Sequence, residues 1–127
     1  MILCLHRNIL NILYLIFLNP YLLKAFKNNK SIICHSDFID GHAYHLYIIE
    51  VEKRNELYEY LKSNEIFCQV HYIPVYKFPY YRSISSEYIQ LENAENYYRN
   101  CLSLPMYPSL SFVEQSFVIE SILSYLR

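Results

Sequence analysis

The spacing of apolar and polar residues changes repeatedly along this chain, and each change predicts an element. Ala43 to Val51 (AYHLYIIEV) is dense in β-formers. Tyr44, Leu46 and Ile48 would point one way, and His45, Tyr47 and Ile49 the other. Both sets are largely apolar, which predicts a central strand covered on both sides. Lys53 to Asn64 predicts a helix with Leu57, Tyr58 and Leu61 inward and Arg54, Glu56, Glu59 and Lys62 towards solvent. Ile66 to Tyr72 predicts a second strand, with Phe67, Gln69 and His71 alternating against Cys68, Val70 and Tyr72. Pro74 and Pro79 then reduce Ile73 to Arg82 to an edge or loop segment.

Further along, Ala94, Tyr97, Tyr98, Cys101 and Leu102 make a helical stripe over Asn93–Leu102. Pro105 and Pro108 enclose an extended piece. Ser111 and Glu114 form a capping-box pattern opening a last helix to about Leu126, with Ile119, Ile122, Leu123 and Leu126 inward. Upstream, a helix over Ile9 to Phe26 is broken or restarted near Pro20, and Ser31 to Cys34 is a short strand. The elements sum to a small α/β or α+β domain.

Composition narrows the function. Apolar residues are 54% of the 127 and charged residues 18%, against roughly 45–50% and 25% in typical soluble domains. The chain therefore has material for a core. A net charge of −1 argues against nucleic acid as a partner. The single glycine, Gly41, excludes glycine-rich phosphate loops, which need several at fixed spacing. Cys4, Cys34, Cys68 and Cys101 lack the paired spacing of a zinc site and read as reduced, mostly buried thiols.

Met1 to Leu18 is apolar, but Ile9–Leu18 is ten residues and contains Asn11, whereas a membrane span needs about twenty. No small-residue cleavage site follows. Residues 1–30 are thus expected to be an apolar N-terminal helix region, and 31–127 the domain proper.

Few constellations carry chemistry. His42 and His45 would lie on opposite faces of a strand, as would Cys68 and His71, so neither a metal site nor a thiol–imidazole pair is expected. The dense segment is Gln69 to Arg82 (QVHYIPVYKFPYYR). Its tyrosines offer flat apolar surface with a hydroxyl, and Lys77 and Arg82 offer charge for phosphate. That mixture suits a sugar nucleotide; an edge segment whose tyrosines merely cover a core has the same composition.

From Gly41 onward the sequence resembles the C-terminal part of the DegT/DnrJ/EryC1/StrS family of pyridoxal-phosphate sugar aminotransferases. The resemblance rests on GHAYHLYIIEV (41–51), EIFCQVHYIPVYKFPYYR (65–82), Asn93-Ala94-Glu95, LSLPMYP (102–108), Glu114-Gln115 and FVIE (117–120). The block Gln69 to Tyr76 is most similar to the subgroup making UDP-4-amino-4,6-dideoxy-N-acetyl-β-L-altrosamine, a pseudaminic acid precursor.

The resemblance implies the small C-terminal domain of a fold type I aminotransferase, a small antiparallel sheet flanked by helices. It implies transfer of an amino group from glutamate to C4 of a UDP-linked 4-keto-6-deoxy sugar, with pyridoxal 5'-phosphate as cofactor. Such products feed surface polysaccharide or flagellar glycan. It further implies a cytoplasmic homodimer. Gln69, Val70, His71 and Tyr72 match the stretch that contacts the sugar nucleotide; Tyr76 and Lys77 are added on proximity and chemistry. No lysine here matches the Schiff-base motif, and there is no room for the cofactor domain. The chain is therefore expected to be a fragment, inactive and cofactor-free alone, with no catalytic residue of its own. Rival readings are a non-catalytic binding or dimerisation module, and a membrane-tethered fragment using Met1–Leu18.

Overall fold

The computed structural model describes residues 20–34, 39, 42, 44–84 and 91–127. Residues 20–26 are helical (α1). Then follow β1 (Ile33–Cys34), β2 (Tyr47–Glu50), α2 (Arg54–Ser63), a 3-10 turn (Val75–Lys77), α3 (Pro79–Ile84), α4 (Glu92–Asn100), β3 (Cys101–Leu104) and α5 (Phe112–Tyr125). The sheet order is β1-β2-β3, antiparallel throughout.

β2 is central, as expected. Its register sets Tyr47 opposite Leu104 and Ile49 opposite Leu102. Alternation puts these four on one face, and all four are buried. There they join Leu22 and Phe26 of α1, Leu57 and Leu61 of α2, and Val118, Ile119 and Ile122 of α5 in one core. Truncating any of the large aliphatics to Ala would cost about 2–5 kcal/mol. Leu22 and Phe26 lie before residue 30, yet share this core with the rest. The Tyr21 hydroxyl bonds the Ser116 hydroxyl at 3.2 Å, and the Tyr21 ring meets Phe112 edge-on, tying α1 to α5. The earlier part of the expected N-terminal helix, Met1 to Asn19, lies outside the described residues.

The opposite face carries Ile48 and Glu50 of β2, half-buried, and Cys101 and Ser103 of β3, buried. Coverage of the central strand is thus complete on one side and partial on the other.

Four expected elements differ. The strand predicted over Ala43–Val51 begins only at Tyr47: Tyr44 has φ 45, and its amide bonds the His42 Nδ1 at 3.0 Å, so the chain is still turning. The second strand, Ile66–Tyr72, is reduced to one bridge, Gln69 with Ser103, on the edge of β3 that β2 leaves free. The helix predicted to Leu102 stops at Asn100. There Val51 N donates to the Asn100 carbonyl at 3.1 Å, and Cys101 turns extended to pair with Glu50. Its stripe residues Cys101 and Leu102 therefore reach the interior from a strand. Finally, Ile73–Arg82, expected as an edge or loop, holds the 3-10 turn and starts α3, with Pro79 at the first helical position, where its missing N–H costs nothing.

Two helix ends behave as the sequence predicts or better. Ser111 Oγ accepts from Glu114 N at 3.2 Å while Glu114 Oε2 accepts from Ser111 N at 2.7 Å, a complete capping box on α5. α2 ends in a Schellman motif: Glu65 N donates to Lys62 O at 3.1 Å and Ile66 N to Leu61 O at 2.9 Å. Glu65 occupies the left-handed position, φ 61, where glycine is usual.

Candidate functional site

The segment after α2 is extended and alternates. Cys68 is buried in the core and Val70 packs against it, whereas Phe67 and Gln69 are exposed. Gln69 N donates to Ser103 O at 3.0 Å and Ser103 N to Gln69 O at 2.8 Å, so one rung extends the sheet at the free edge of β3. His71, two residues on, shares a 2.8 Å hydrogen bond between its Nδ1 and Ser103 Oγ. The Cys101 thiol donates to the His71 carbonyl at 3.8 Å. His71 is thus held on the second face of the sheet, and among the described residues its ring bonds through Nδ1. The peptide bond from His71 to Tyr72 is cis. The Tyr72 ring stands edge-on to the imidazole, centroids 4.5 Å apart, and is 69% exposed.

Gln69, Val70, His71 and Tyr72 line one depression of about 410 Å³ together with Arg54 and Tyr58 of α2. All four residues carried by the resemblance meet there. Arg54 was expected to suit solvent; instead its Nη2 donates to Tyr98 O at 3.0 Å and its Nε to Arg99 O at 3.3 Å. These are carbonyls at the electronegative C-terminal end of α4, where a cation is favoured. The guanidinium also lies 5.8 Å from the Tyr98 ring centroid. The lining contains this cation and no carboxylate. Two phenols, an amide, an imidazole and a guanidinium can accept and donate to sugar hydroxyls and phosphate oxygens, and the tyrosine faces can stack on a planar base.

Tyr76 and Lys77 do not line this depression. The Tyr76 hydroxyl donates to Glu95 Oε1 at 2.8 Å, and the Lys77 ammonium pairs with Glu95 Oε2. Lys77 Nζ also lies 5.5 Å from the Tyr98 ring centroid, so Tyr98 joins the two groups of candidate residues. Sequence reasoning missed Arg54, Tyr58, Ser103 and Tyr98. Only Ser103 left a trace, as a polar residue between Leu102 and Leu104 in a run of buried positions.

Thiol chemistry does not fit. Burial pushes the Cys68 thiol up to about 12, and raises Cys34 and Cys101 as well. At neutral pH all three are protonated and weakly nucleophilic.

A family model for the DegT/DnrJ/EryC1/StrS aminotransferases matches residues 19–123. The chain belongs to that family. Among curated relatives it is 37% identical over 107 residues to the spore coat polysaccharide biosynthesis protein SpsC of Bacillus subtilis, covering 77% of this chain and 28% of that protein. It is 36% identical over 75 residues to the UDP-4-amino-4,6-dideoxy-N-acetyl-beta-L-altrosamine transaminase of Campylobacter jejuni, covering 59% and 20%. Among solved structures, Helicobacter pylori PseC, an aminotransferase involved in pseudaminic acid biosynthesis, superposes with a TM-score of 0.87 at 22% identity, over 96% of this chain and 34% of its own. The fold is that of the small domain of the fold type I aminotransferases. The chain spans 20–34% of the length of these three.

The DegT-family cofactor, pyridoxal phosphate, finds no covalent site among the described residues. Of the six lysines, Lys24, Lys27, Lys30, Lys53 and Lys62 are exposed and Lys77 is paired with Glu95. None lines the depression. A cofactor lysine needs a desolvated ammonium aimed into a pocket, and the surroundings of these six lysines differ from that. Among the described residues no helix is long and apolar enough to cross a membrane.

Proposed function

We propose that this chain is the substrate-side domain of a cytoplasmic, homodimeric aminotransferase acting on a UDP-linked 4-keto-6-deoxy sugar, with glutamate as amino donor. The product would serve surface polysaccharide or flagellar glycan. Without the cofactor domain the chain is inactive. Gln69, Val70, His71 and Tyr72 contact the sugar nucleotide, with Tyr76 and Lys77 on the flank.

The observation that carries this reading is the depression that gathers Gln69–Tyr72 with Arg54 and Tyr58. Its single positive charge and hydrogen-bonding rim complement a diphosphate and a sugar better than an apolar ligand. His71 offers Nε2 because Ser103 engages Nδ1. The names of the curated relatives, one in spore coat polysaccharide synthesis and one an altrosamine transaminase, support the same substrate class. Pyridoxal phosphate would be held by the other domain, where it would serve as the electron sink for amino transfer; the residues here bind and orient the sugar nucleotide.

The test is a titration of the chain with UDP followed by amide NMR. Shifts concentrated at residues 69–72 and Arg54 are expected. Shifts elsewhere, or none, would remove the reading.

A further inference from the structure

We propose that Glu95 is a positioning residue for the sugar-nucleotide segment: its carboxylate pins the turn at Val75–Lys77 onto α4 and so fixes the span Tyr72–Pro74 between two anchored feet. The function assigned to that span rests on the sugar-nucleotide reading above.

The first foot stands on β3, where Gln69 pairs with Ser103 and His71 bonds its hydroxyl. The second stands on α4, where Tyr76 and Lys77 meet the two oxygens of Glu95. α4 runs directly into β3, Asn100 to Cys101, and Arg54 holds the carbonyls of Tyr98 and Arg99 at their junction. Both feet therefore rest on one continuous, braced element. Tyr72 and Ile73 between them are exposed, as an arch presenting side chains to a ligand would be.

Among the described residues, the Glu95 contacts are joined at the second foot by a backbone hydrogen bond from Leu91 to the Tyr76 hydroxyl and by the Lys77–Tyr98 ring contact. Backbone hydrogen bonds in the turn and its continuation are local: Lys77 N to Pro74 O, Phe78 N to Val75 O and Arg82 N to Phe78 O. No residue of the turn or of α3 is fully buried, so apolar packing holds the turn only in part. The Lys77 and Glu95 side chains are only 26% and 16% exposed, more shielded than a surface pair, which on its own contributes little. Bonds from Lys77 and Tyr76 hold the Glu95 carboxyl below the usual range. The pair also consumes the charge of Lys77, leaving Arg54 as the cation that faces the depression.

The experiment uses the full chain with Glu95→Ala, and Glu95→Gln as the milder variant should Glu95→Ala fail to fold by circular dichroism. Acetic anhydride labelling read by mass spectrometry gives the reactivity of Lys77, with exposed Lys62 as internal reference. The expected result is a several-fold rise at Lys77 with Lys62 unchanged, and a smaller rise in Tyr76→Phe. A folded Glu95 variant with wild-type Lys77 reactivity overturns the pinning. The second readout is UDP titration by amide NMR. In wild type, residues 69–73 should shift; in the Glu95 variant, Gln69 and His71 should still shift while Tyr72 and Ile73 lose their response. Equal responses at all positions in both proteins overturn the positioning role. A rise at Lys77 with no UDP response even in wild type upholds the pinning and removes the sugar-nucleotide reading.

Discussion

The Nδ1 atom of His71 lies 2.8 Å from the hydroxyl oxygen of Ser103, a residue thirty-two positions further along the chain. Ser103 is buried at 4% exposure while the imidazole is only part-buried, so the strand residue fixes the ring at the sheet's edge. With the cofactor domain supplied, His71→Ala should weaken sugar-nucleotide binding roughly ten- to a hundredfold, the loss of a hydrogen bond to a charged group at about 1.5–3 kcal/mol. Ser103→Ala, which leaves the ring present but unheld, should cost less. Calorimetry with the sugar nucleotide measures both. Unchanged affinity in His71→Ala would return the ring to a purely structural role.

Pyridoxal phosphate and borohydride offer a complementary check. Five lysines are exposed and the sixth is paired, so reduction should give scattered, substoichiometric labelling. One lysine labelled to completion in the mass spectrum would contradict the placement of the cofactor in the other domain.

The capping box on α5 should be measurable in stability. Ser111→Ala removes the acceptor for Glu114 N and the hydroxyl partner of Glu114 Oε2. A loss of about 1 kcal/mol is expected, read from the urea midpoint at unchanged slope.

Acid should act through the same contacts. Hydrogen bonds from Ser111 hold the Glu114 carboxyl below its usual range, and Lys77 and Tyr76 do so for Glu95. A carboxyl whose folded pKa is depressed binds its proton more readily when unfolded. Its stabilising contribution is therefore full above the ordinary Glu pKa of about 4.3 and is lost as pH falls through and below it. Urea midpoints should decline over that acidic window. The decline should be smaller in Ser111→Ala and in Glu95→Gln.

Glu65 offers the opposite sign. A non-glycine residue at φ 61 carries a steric cost of roughly 1–2 kcal/mol, partly offset by the extra freedom glycine has when unfolded. Glu65→Gly should raise stability by about 0.5–1 kcal/mol, visible as a higher thermal midpoint. A lower midpoint would mean that the Glu65 side chain makes a compensating contact.

Which parts of this fold could be read from sequence follows from the range of the interactions. The capping box, the α2 stripe of Leu57 and Leu61, and the alternation through Cys68 and Val70 depend on neighbours within a few residues, and all were legible. The end of α4 was not. Cys101 and Leu102 extend a helical stripe and open a buried strand equally well, and only pairing with Ile49 and Glu50 decides. Gln69 to Tyr72 were grouped by family resemblance alone, and the structure lines one depression with them. Arg54 was not legible, because its acceptors are backbone carbonyls, which any residue at 98 and 99 would provide.

The order of the strands bears on how the chain is made. β2 lies in the middle of the sheet, yet one of its neighbours comes from residues 101–104. Until those residues leave the ribosome, Tyr47–Glu50 has β1 on one side and a row of unpaired amides and carbonyls on the other. Open edges of that kind template pairing with other chains. A translation product halted before Cys101 would expose this edge together with the core face of Tyr47 and Ile49, so early termination should yield insoluble protein and not a smaller folded domain.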